Sequence, residues 1–574
     1  MTTVPLSAWP GGGREAVELY TRTYRTVLRS SGELRLRVLE SAHLGMRSSL
    51  HALADSPAID SGALVYALRR LPPVTVELRR VVMGQSAEHF RAALGEAVEG
   101  WPVVAAPGRR RRWWWDAASG TLAVALASSS DVDDLVPTLV ALQVEWNKSH
   151  RALVGLHPAG RLSEDPDLVA AAHAALAIAD DDWGRLWDVF GDRFPAWLRT
   201  VAARPQDLRI RLLGGTQVGY ARETRAWWAP IGAALTAEGL DGRPTFFVSS
   251  NAHALVNLLS GVAHDRAEAI EVWAERSEDA ELHAIQAELR RPDAHGSREN
   301  FLYYAARRWF ASDPVERAAR DRIERERGIL HLTPRSGINV AAQVIVLDRL
   351  DPSRLDPRLG LMAEQAARLR RCPAVVVNVQ YPLGEAAYHI LRQVLEVSER
   401  VEGIYILGKA ATLNADVGDV MIADVVHDEH SGNTYWIDNC FSFAEVSPFM
   451  RMGSVLDRQR AVTVLSTFLQ NRAYLEFYYR DAYTVVEMEA GPYLGALYEA
   501  GEAQRYPTGQ QVDLTRPSID LGVIHYASDT PYTQARTLGA RGLSYRGMDA
   551  TYAGSLAIAR RILQRCGVLA EPSS

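Results

Sequence analysis

Apolar residues recur every three or four positions through the first 71 residues of the chain. This spacing predicts three amphipathic helices, with glycine, serine and proline marking the turns between them, over 16–28, 34–53 and 63–71. Farther along, Pro107-Gly108 and Ser119-Gly120 separate short apolar runs. Turn residues between such runs predict β-hairpins, with strands at 101–105, 111–115 and 122–127.

From residue 121 onward, apolar runs of strand length alternate with helical patterns. The run at 208–213 precedes Gly214-Gly215-Thr216, and the run at 245–248 precedes Ser249-Ser250-Asn251. Small polar residues at these positions are typical helix caps, and helix N-termini that attract anions are the alternative interpretation. Strands followed by helices predict an α/β region with partly parallel strands.

A charged stretch, PVERAARDRIERER at 314–327, interrupts this alternation. Its composition is typical of a solvated helix, and it predicts a domain boundary near residue 330. The N-terminal region, 1–330, is then helical plus α/β, with a further split near residue 100 as an alternative. In the C-terminal domain, 331–574, helical patterns lie between several predicted strands, at 340–347, 374–379, 403–407, 420–426, 461–465, 484–488 and 521–526. We therefore predict an α/β fold with a mixed central sheet covered on both faces.

Composition narrows the class of protein. A chain of 574 residues exceeds what one hydrophobic core usually serves, which predicts two to four domains. The content of 47% apolar and 23% charged residues is ordinary for a globular protein. Lys and Arg number 63 against 69 Asp and Glu, for a net charge of -6, and this balance argues against a nucleic-acid-binding protein.

Cysteine content and hydropathy indicate in which cellular compartment the protein is expected. The three cysteines, Cys372, Cys440 and Cys566, are far apart and form no CxxC pair. The sequence therefore predicts neither a disulfide framework nor a metal site, and a reducing compartment suits it. The N-terminus lacks the pattern of a signal peptide, and no run approaches 18 apolar residues, so we expect no membrane contact and a cytoplasmic location.

Four segments of the C-terminal part combine strand patterns with glycine turns and carboxylates. They are AVVVNVQYPLGEAAYHIL (374–391), IYILGKAATLNADVGDVMIADVV (404–426), TVVEMEAGPYL (484–494) and LGVIHYASDTPY (521–532). In order and spacing they resemble the nucleoside phosphorylase/nucleosidase family over roughly 338–566. The resemblance implies a three-layer αβα phosphorylase-like domain, a small-molecule nucleoside or nucleotide as ligand, and assembly as a homo-oligomer.

The resemblance also assigns site residues. Glu489 matches the carboxylate that accepts hydrogen bonds from ribose hydroxyls, and Met488 packs against the sugar. Ser528 and Asp529 match the family's Ser-Asp, where the acid protonates the leaving base, a purine more than a pyrimidine. Cleavage of an N-glycosidic bond needs both roles, because a cationic sugar and an anionic base develop together. Asp529 can donate only if it holds a proton, which requires burial.

Each of these residues has a simpler interpretation. Glu487 and Glu489 alternate on a strand, so one of them could face solvent. Asp529, between Ser528 and Thr530-Pro531, also suits a helix cap or a turn. Phe468 matches a family aromatic that stacks on the base, and core packing is its alternative.

Two departures from the family pattern concern the nucleophile. Gly384 matches the glycine turn between the strand and the Ala-rich helix of the first segment. The family's G-[ST]-x-G loop corresponds to Gly408-Lys409-Ala410-Ala411, with Lys409 where a small residue or hydroxyl is usual. That lysine could bind phosphate, replace it, reach a 5′-phosphate of a nucleotide, or face solvent. The family's G-D-P-x-R loop corresponds to Asp351–Arg354, with Leu350 in place of the glycine and Arg354 as a candidate phosphate ligand. Hydrolysis is therefore favoured over phosphorolysis; inorganic phosphate is a candidate co-substrate, and no other cofactor is expected.

The N-terminal region resembles no family, although AMP nucleosidase offers a precedent for an extra N-terminal domain on this catalytic fold. Its Arg109–Arg112 followed by Trp113–Trp115 suits a nucleic-acid stacking patch or, more simply, a hairpin strand. A non-catalytic protein that senses a nucleoside or nucleotide is the alternative to an enzyme.

Overall fold

The computed structural model describes residues 11–95, 97–156, 166–333, 336–502, 505–515, 519–530 and 545–570. Pro531 and Tyr532, the end of the fourth motif, lie outside these residues. Within them, no helix is long and apolar enough to cross a membrane.

The first half of the described chain forms a sheet flanked by helices. Its strands are β1 (Leu34–Arg35), β2 (Arg80–Gly84), β3 (Val103–Val104), β4 (Trp113–Asp116), β5 (Thr121–Ala125) and β6 (Arg209–Leu213). Their order is β1-β6-β2-β5-β4-β3, with β2 parallel to both β5 and β6. The helices are α1 (Gly11–Ser30), α2 (Arg37–Met46), α3 (Ser61–Arg70), α4 (Ala87–Leu94), α5 (Ser129–Leu153), α6 (Pro166–Leu176), α7 (Asp180–Phe190), α8 (Phe194–Ala203) and α9 (Gln217–Ala237).

The predicted hairpins are confirmed by the antiparallel pairs β3–β4 and β4–β5. Trp113, Trp114 and Trp115 are buried in the core, so the nucleic-acid stacking interpretation is wrong. Arg109 and Arg110 lie in the loop that precedes β4, outside the strands of the sheet.

The second half forms a larger mixed sheet. Its strands are β7 (Thr245–Ser250), β8 (Ile329–Leu332), β9 (Ala342–Val346), β10 (Val375–Gln380), β11 (Val401–Thr412), β12 (Val420–Asp428), β13 (Thr434–Ile437), β14 (Val455–Thr463), β15 (Tyr483–Glu487), β16 (Gln511–Leu514) and β17 (Asp520–Asp529). The order is β16-β13-β12-β14-β15-β11-β7-β10-β9-β8, and β17 pairs with β11 and β12. The mixed sheet predicted for this part is confirmed.

Helices complete the second half. They are α10 (Ala254–Ser260), α11 (Val262–Asp265), α12 (Ala267–Arg276), α13 (Ala280–Leu289), α14 (Arg298–Ser312), α15 (Pro314–Glu326), α16 (Ala363–Leu369), α17 (Glu385–Val397), α18 (Phe443–Val446), α19 (Arg472–Arg480), α20 (Ala490–Gly501) and α21 (Tyr545–Arg565). On β10, Val375, Val377 and Val379 pack toward α17 and α20, while Val376 packs toward α14 and α21. Because strand side chains alternate, both faces of the sheet are covered by helices, as predicted.

The strand β7 lies in the middle of this second sheet, parallel to β10 and β11. It precedes residue 330, so the predicted boundary does not separate the two sheets. The charged stretch itself forms α15.

The two halves also share a hydrophobic core. The core of the first sheet includes residues of the second half, namely Ala411, Leu413, Val462, Val464 and Val486. Ser130 Oγ of α5 lies 3.1 Å from His430 Nε2 and accepts a hydrogen bond from the backbone of Glu385 at 2.9 Å. Groups from the N-terminal region can therefore reach a site on the second sheet.

Candidate functional site

A cavity of about 1170 Å³ lies at the carboxyl ends of β7, β10 and β17, beside β11. This edge of a parallel sheet is where α/β proteins usually bind ligands. The cavity is lined by Met488, Glu489, Ser528, Asp529 and Lys409. The fold thus brings together five of the residues singled out in the sequence, from three different strands or strand ends.

Glu489 follows β15 and precedes α20. The backbone N–H of Glu489 donates to Glu487 Oε2 at 2.6 Å, as does that of Ala490 at 2.8 Å. The strand β15 ends at Glu487, so the two glutamates do not alternate on a strand, and neither of them is exposed. Burial, and then the nearby Glu487, raise the pKa of Glu489 to about 8, against the opposing effect of Arg109 and Arg110.

Asp529 ends β17 next to β11. Lys409 Nζ lies 3.9 Å from Asp529 Oδ2. Ser528 Oγ is 2.7 Å from the same carboxylate oxygen and 3.0 Å from the carbonyl oxygen of Ala410, and its one proton can serve only one of them. Burial lowers the pKa of Lys409, and Arg70 and Arg109 lower it further, while Asp529 opposes the change.

The N-terminal region contributes arginines that the sequence analysis did not assign to the site. Arg109 and Arg110 line the cavity. Arg109 Nη2 lies 3.7 Å from Met488 Sδ, and Arg110 donates to the carbonyl oxygen of Tyr381 at 3.0 Å. In the sequence these arginines are visible as a run after Pro107-Gly108, but no neighbouring residue indicates that they contact a site on the second sheet.

Tyr381, which follows β10, has a φ of 25°, a left-handed value that is strained for a residue other than glycine. Such strain is typical of functional sites, where surrounding structure holds it. Burial raises the pKa of the Tyr381 hydroxyl, and so does neighbouring Tyr526, which lines the same cavity. Tyr381 and Tyr526 thus form an aromatic, weakly solvated wall of the cavity, and such a wall suits a nucleobase.

Arg354 is not at the cavity, contrary to the prediction. It forms an ion pair with Asp265 at 2.5 Å, and Leu350 is buried in the core. The physical reason is strand direction: β9 runs antiparallel to β10, so the loop after β9 leaves the sheet at the opposite edge. The carboxyl end of β7, in contrast to that of β9, reaches the cavity through Asn251 and His253.

The two glycines shape the site without lining the cavity. A Cβ at Gly384 would lie 2.2 Å from Ser130 Oγ, so this glycine permits α5 to approach α17. Gly384 also has a φ of 53°, which favours glycine. A Cβ at Gly408 would lie 3.2 Å from His525 Cδ2, so Gly408 makes room for that buried ring.

Phe468 lies in the core and does not line the cavity. It is 1% exposed, and its ring meets the edge of Tyr66 with centroids 5.1 Å apart. The stacking role predicted for it does not fit this position, and the core-packing alternative does.

We expect Phe468→Ala to destabilise the protein by about 3–5 kcal/mol, because the truncation leaves a cavity among packed side chains. Urea denaturation monitored by circular dichroism measures the change. Ligand affinity of the folded variant should stay within about twofold of wild type, on the order of the error in such titrations. Lost affinity without lost stability would contradict the core assignment.

Comparisons with known proteins give one family. The model of DUF6909, described as a family of unknown function, matches residues 36–564. No curated protein matches the chain.

Solved structures show weak similarity. A candidate methylthioadenosine nucleosidase from Weissella paramesenteroides is 16% identical with a TM-score of 0.24, over 37% of this chain and 97% of the other. Purine nucleoside phosphorylase from Toxoplasma gondii in complex with immucillin-H is 12% identical with a TM-score of 0.27, over 56% and 93%. A 5′-methylthioadenosine/S-adenosylhomocysteine nucleosidase from Colwellia psychrerythraea 34H in complex with adenine is 16% identical with a TM-score of 0.22, over 32% and 79%. Scores this low do not establish a shared fold.

Proposed function

This chain belongs to DUF6909, a family of unknown function, and we propose that it cleaves the N-glycosidic bond of a nucleoside or nucleotide, with a purine as the preferred base. The observation that carries the proposal is the convergence of Glu489, Asp529 and Lys409 on one cavity. These residues are 120 positions apart at the extremes, and each belongs to one of the segments that resemble the nucleoside phosphorylase/nucleosidase family.

Glu489 acts at the sugar. The bond breaks through a cationic, oxocarbenium-like ribose, and a carboxylate that accepts hydrogen bonds from the hydroxyls stabilises it. Since the pKa of Glu489 is raised to about 8, this role requires loss of a proton. Arg109 and Arg110 favour that loss, and Met488 contributes an apolar, adaptable surface beside it.

Asp529 acts at the base. A carboxylic acid that donates to a purine nitrogen neutralises the charge that develops on the leaving group. The Lys409 ammonium, 3.9 Å from Asp529, then stabilises the carboxylate that remains after proton transfer. The weakly solvated wall around Tyr381 and Tyr526 strengthens both interactions.

Water is the nucleophile in this proposal. Arg354, the candidate phosphate ligand of a phosphorylase-like loop, lies at the far edge of the sheet, and Lys409 occupies a position where phosphorylases have a small residue. A long side chain in a site shaped for a small anion fills it more often than it improves it. Base release should therefore be unchanged, within about twofold, between no added phosphate and a large excess of it.

The sugar product decides the nucleophile. Hydrolysis yields free sugar, which a reducing-sugar assay or chromatography detects. Formation of ribose 1-phosphate, at a rate that rises with phosphate concentration, would contradict hydrolysis while leaving bond cleavage in place.

A non-catalytic sensor is the second candidate, and the departure from the family pattern at Lys409 favours it, since Lys409 Nζ lies 3.9 Å from Asp529, the candidate acid. Incubation of the protein with a panel of nucleosides and nucleotides, followed by chromatography of free base, separates the two. Free base from the wild type, absent with Asp529→Asn, supports the enzyme. Binding by calorimetry without any base release supports the sensor.

A further inference from the structure

Positive charge is concentrated on one side of the cavity and comes from both halves of the chain. Arg109 and Arg110 reach it from the loop before β4, and Lys409 from β11. Arg70, the last residue of α3, lies behind them and is 7% exposed. These cations are close enough that Arg109 lowers the pKa values of Arg70, Arg110 and Lys409.

Some of this charge is neutralised within the protein. Asp134 pairs with Arg109 at 3.0 Å and with Arg111 at 2.8 Å, and Asp131 pairs with Arg111 at 2.7 Å. Two acids of α5 thus balance two arginines. They also hold the arginine loop in place, since Asp131 and Asp134 are themselves buried.

Arg70 and Arg110 have no carboxylate within ion-pair distance among the described residues. The guanidinium of Arg70 lies 3.2 Å from the centre of the Tyr66 ring, and its buried Nε has no hydrogen-bond partner within that part of the chain. Arg110 donates to a neutral acceptor, the carbonyl oxygen of Tyr381. Burial lowers the pKa of Arg70 to about 10, an unusual value for an arginine.

Two acids of the cavity, Glu489 and Asp529, interact with these cations. Glu489, with its pKa at about 8, carries a proton at neutral pH, and Asp529 Oδ2 lies 3.9 Å from Lys409 Nζ, beyond hydrogen-bond distance, so the ammonium can still bind a ligand anion. Arg70 is buried, and a buried charge without a partner is costly to the fold, so such an arrangement is typical of a site whose ligand brings the opposite charge. The guanidinium group of Arg110 and the ammonium of Lys409, both at the cavity, match the oxygens of a phosphate group, which accepts several charge-assisted hydrogen bonds.

We propose that Arg110 and Lys409 bind a phosphate group of the ligand, with the buried Arg70 behind them adding positive charge, so that the preferred ligand is a purine nucleoside phosphate and the N-terminal region completes the site. The inference rests on the function proposed for the same cavity. It gives the first half of the chain a direct role: the loop before β4 supplies one of the two phosphate-binding side chains.

Calorimetric titration of the full chain tests this. A purine nucleoside 5′-monophosphate, the matching nucleoside and inorganic phosphate are titrated separately into Asp529→Asn protein, in which turnover is suppressed. The nucleotide should bind at least about tenfold more tightly than the nucleoside, as one charge-assisted hydrogen bond can provide.

Arg110→Ala, added to Asp529→Asn, should weaken nucleotide binding by about tenfold to a hundredfold and nucleoside binding far less, because the nucleoside makes no phosphate contact and loses only the effect of Arg110 on Glu489. Arg110 is exposed, so this variant should fold normally. Arg112→Ala is the matched control, since Arg112 belongs to the same loop and its side chain does not line the cavity. Arg70→Gln, checked for folding by thermal melting, should weaken nucleotide binding less than Arg110→Ala does, because Arg70 adds charge from behind the cavity without contacting the phosphate.

The outcomes are separable. Equal affinity for nucleotide and nucleoside, or an equal loss of both in Arg110→Ala, overturns the inference and leaves bond cleavage intact. Arg110-dependent binding of free phosphate without preference for the nucleotide also overturns it, since the site would then take a separate anion. Arg110-dependent preference for the nucleotide, together with no base release by the wild type, supports the phosphate site and contradicts the proposed catalysis.

Discussion

Asp529→Asn should lower kcat for purine substrates by about 10²–10⁴-fold, the range expected when a positioned general acid is removed. The amide keeps the shape of the side chain and can still donate a hydrogen bond, but it cannot transfer a proton to the base. A substrate whose leaving group needs no protonation, such as a nitrophenyl riboside or its 5′-phosphate, should lose far less.

Steady-state rates with both substrates measure the difference. Asp513→Asn is a suitable control, because Asp513 is an exposed aspartate on β16 outside the cavity. Equal losses with good and poor leaving groups would show that Asp529 does not act as a general acid.

Glu489→Gln should lower kcat by about 10²–10³-fold, as expected for loss of one preorganised charge-stabilising group, with a smaller change in ground-state affinity. The pH dependence gives a second readout. The pKa of Glu489 is raised to about 8, so the carboxylate that stabilises the cationic sugar forms only as pH rises through that value. Wild-type kcat/KM should therefore increase up to and beyond pH 8, and Glu489→Gln should remove that increase.

The raised pKa of Glu489 also makes the stability of the folded protein depend on pH. In the unfolded chain the Glu489 carboxyl loses its proton near its ordinary pKa of 4.5, whereas in the folded protein it keeps the proton to about pH 8. The folded state therefore binds more protons in that window, and stability falls as pH rises through it. Each unit of pKa corresponds to about 1.4 kcal/mol, so Glu489→Gln should be more stable than wild type at pH 9 and similar to it at pH 4.

Thermal melts at the two pH values measure this, with Glu502→Gln as an exposed control at the end of α20. A wild-type kcat/KM that falls above pH 8, with the fall abolished by Glu489→Gln, would contradict the carboxylate role, because it would mean that the protonated form of Glu489 is the active one.

The local patterns of the sequence predicted much of the second sheet. The strands that became β9, β10, β11, β12, β14, β15 and β17 all show apolar runs of strand length. Glu489 and Asp529 were found because both follow such a run within a recognisable motif. A strand end placed at a sheet edge is a local property, so it can be read from residues close together in the chain.

Long-range pairing could not be predicted in this way. Whether Arg354 reaches the cavity depends on the direction of β9, which is set by its antiparallel pairing with β10. The insertion of β7 between β10 and β11 joins segments more than a hundred residues apart. Neither the direction of β9 nor the position of β7 can be recognised in the hydrophobic pattern, which indicates only which side chains are buried.

The arginines of the first half illustrate the same limit. Arg109 and Arg110 stand out as a basic run, and a basic run is most often solvated. Their placement follows from the buried acids of α5, which pair with Arg109 and Arg111, and from the packing of the first sheet against the second. Phe468 is an error of the opposite kind. Its match to a family aromatic predicts a ligand contact, whereas the fold buries it in the core.

The most direct test of the account is a crystal structure of Asp529→Asn bound to a purine nucleoside 5′-monophosphate that the wild type cleaves. The account predicts the ribose 2′ and 3′ hydroxyls within hydrogen-bond distance of Glu489, about 2.6–3.2 Å between oxygens. It also predicts a ring nitrogen of the base at the same distance from residue 529. A ligand with the base against Glu489 and the sugar against residue 529, or a ligand outside this cavity, would contradict it.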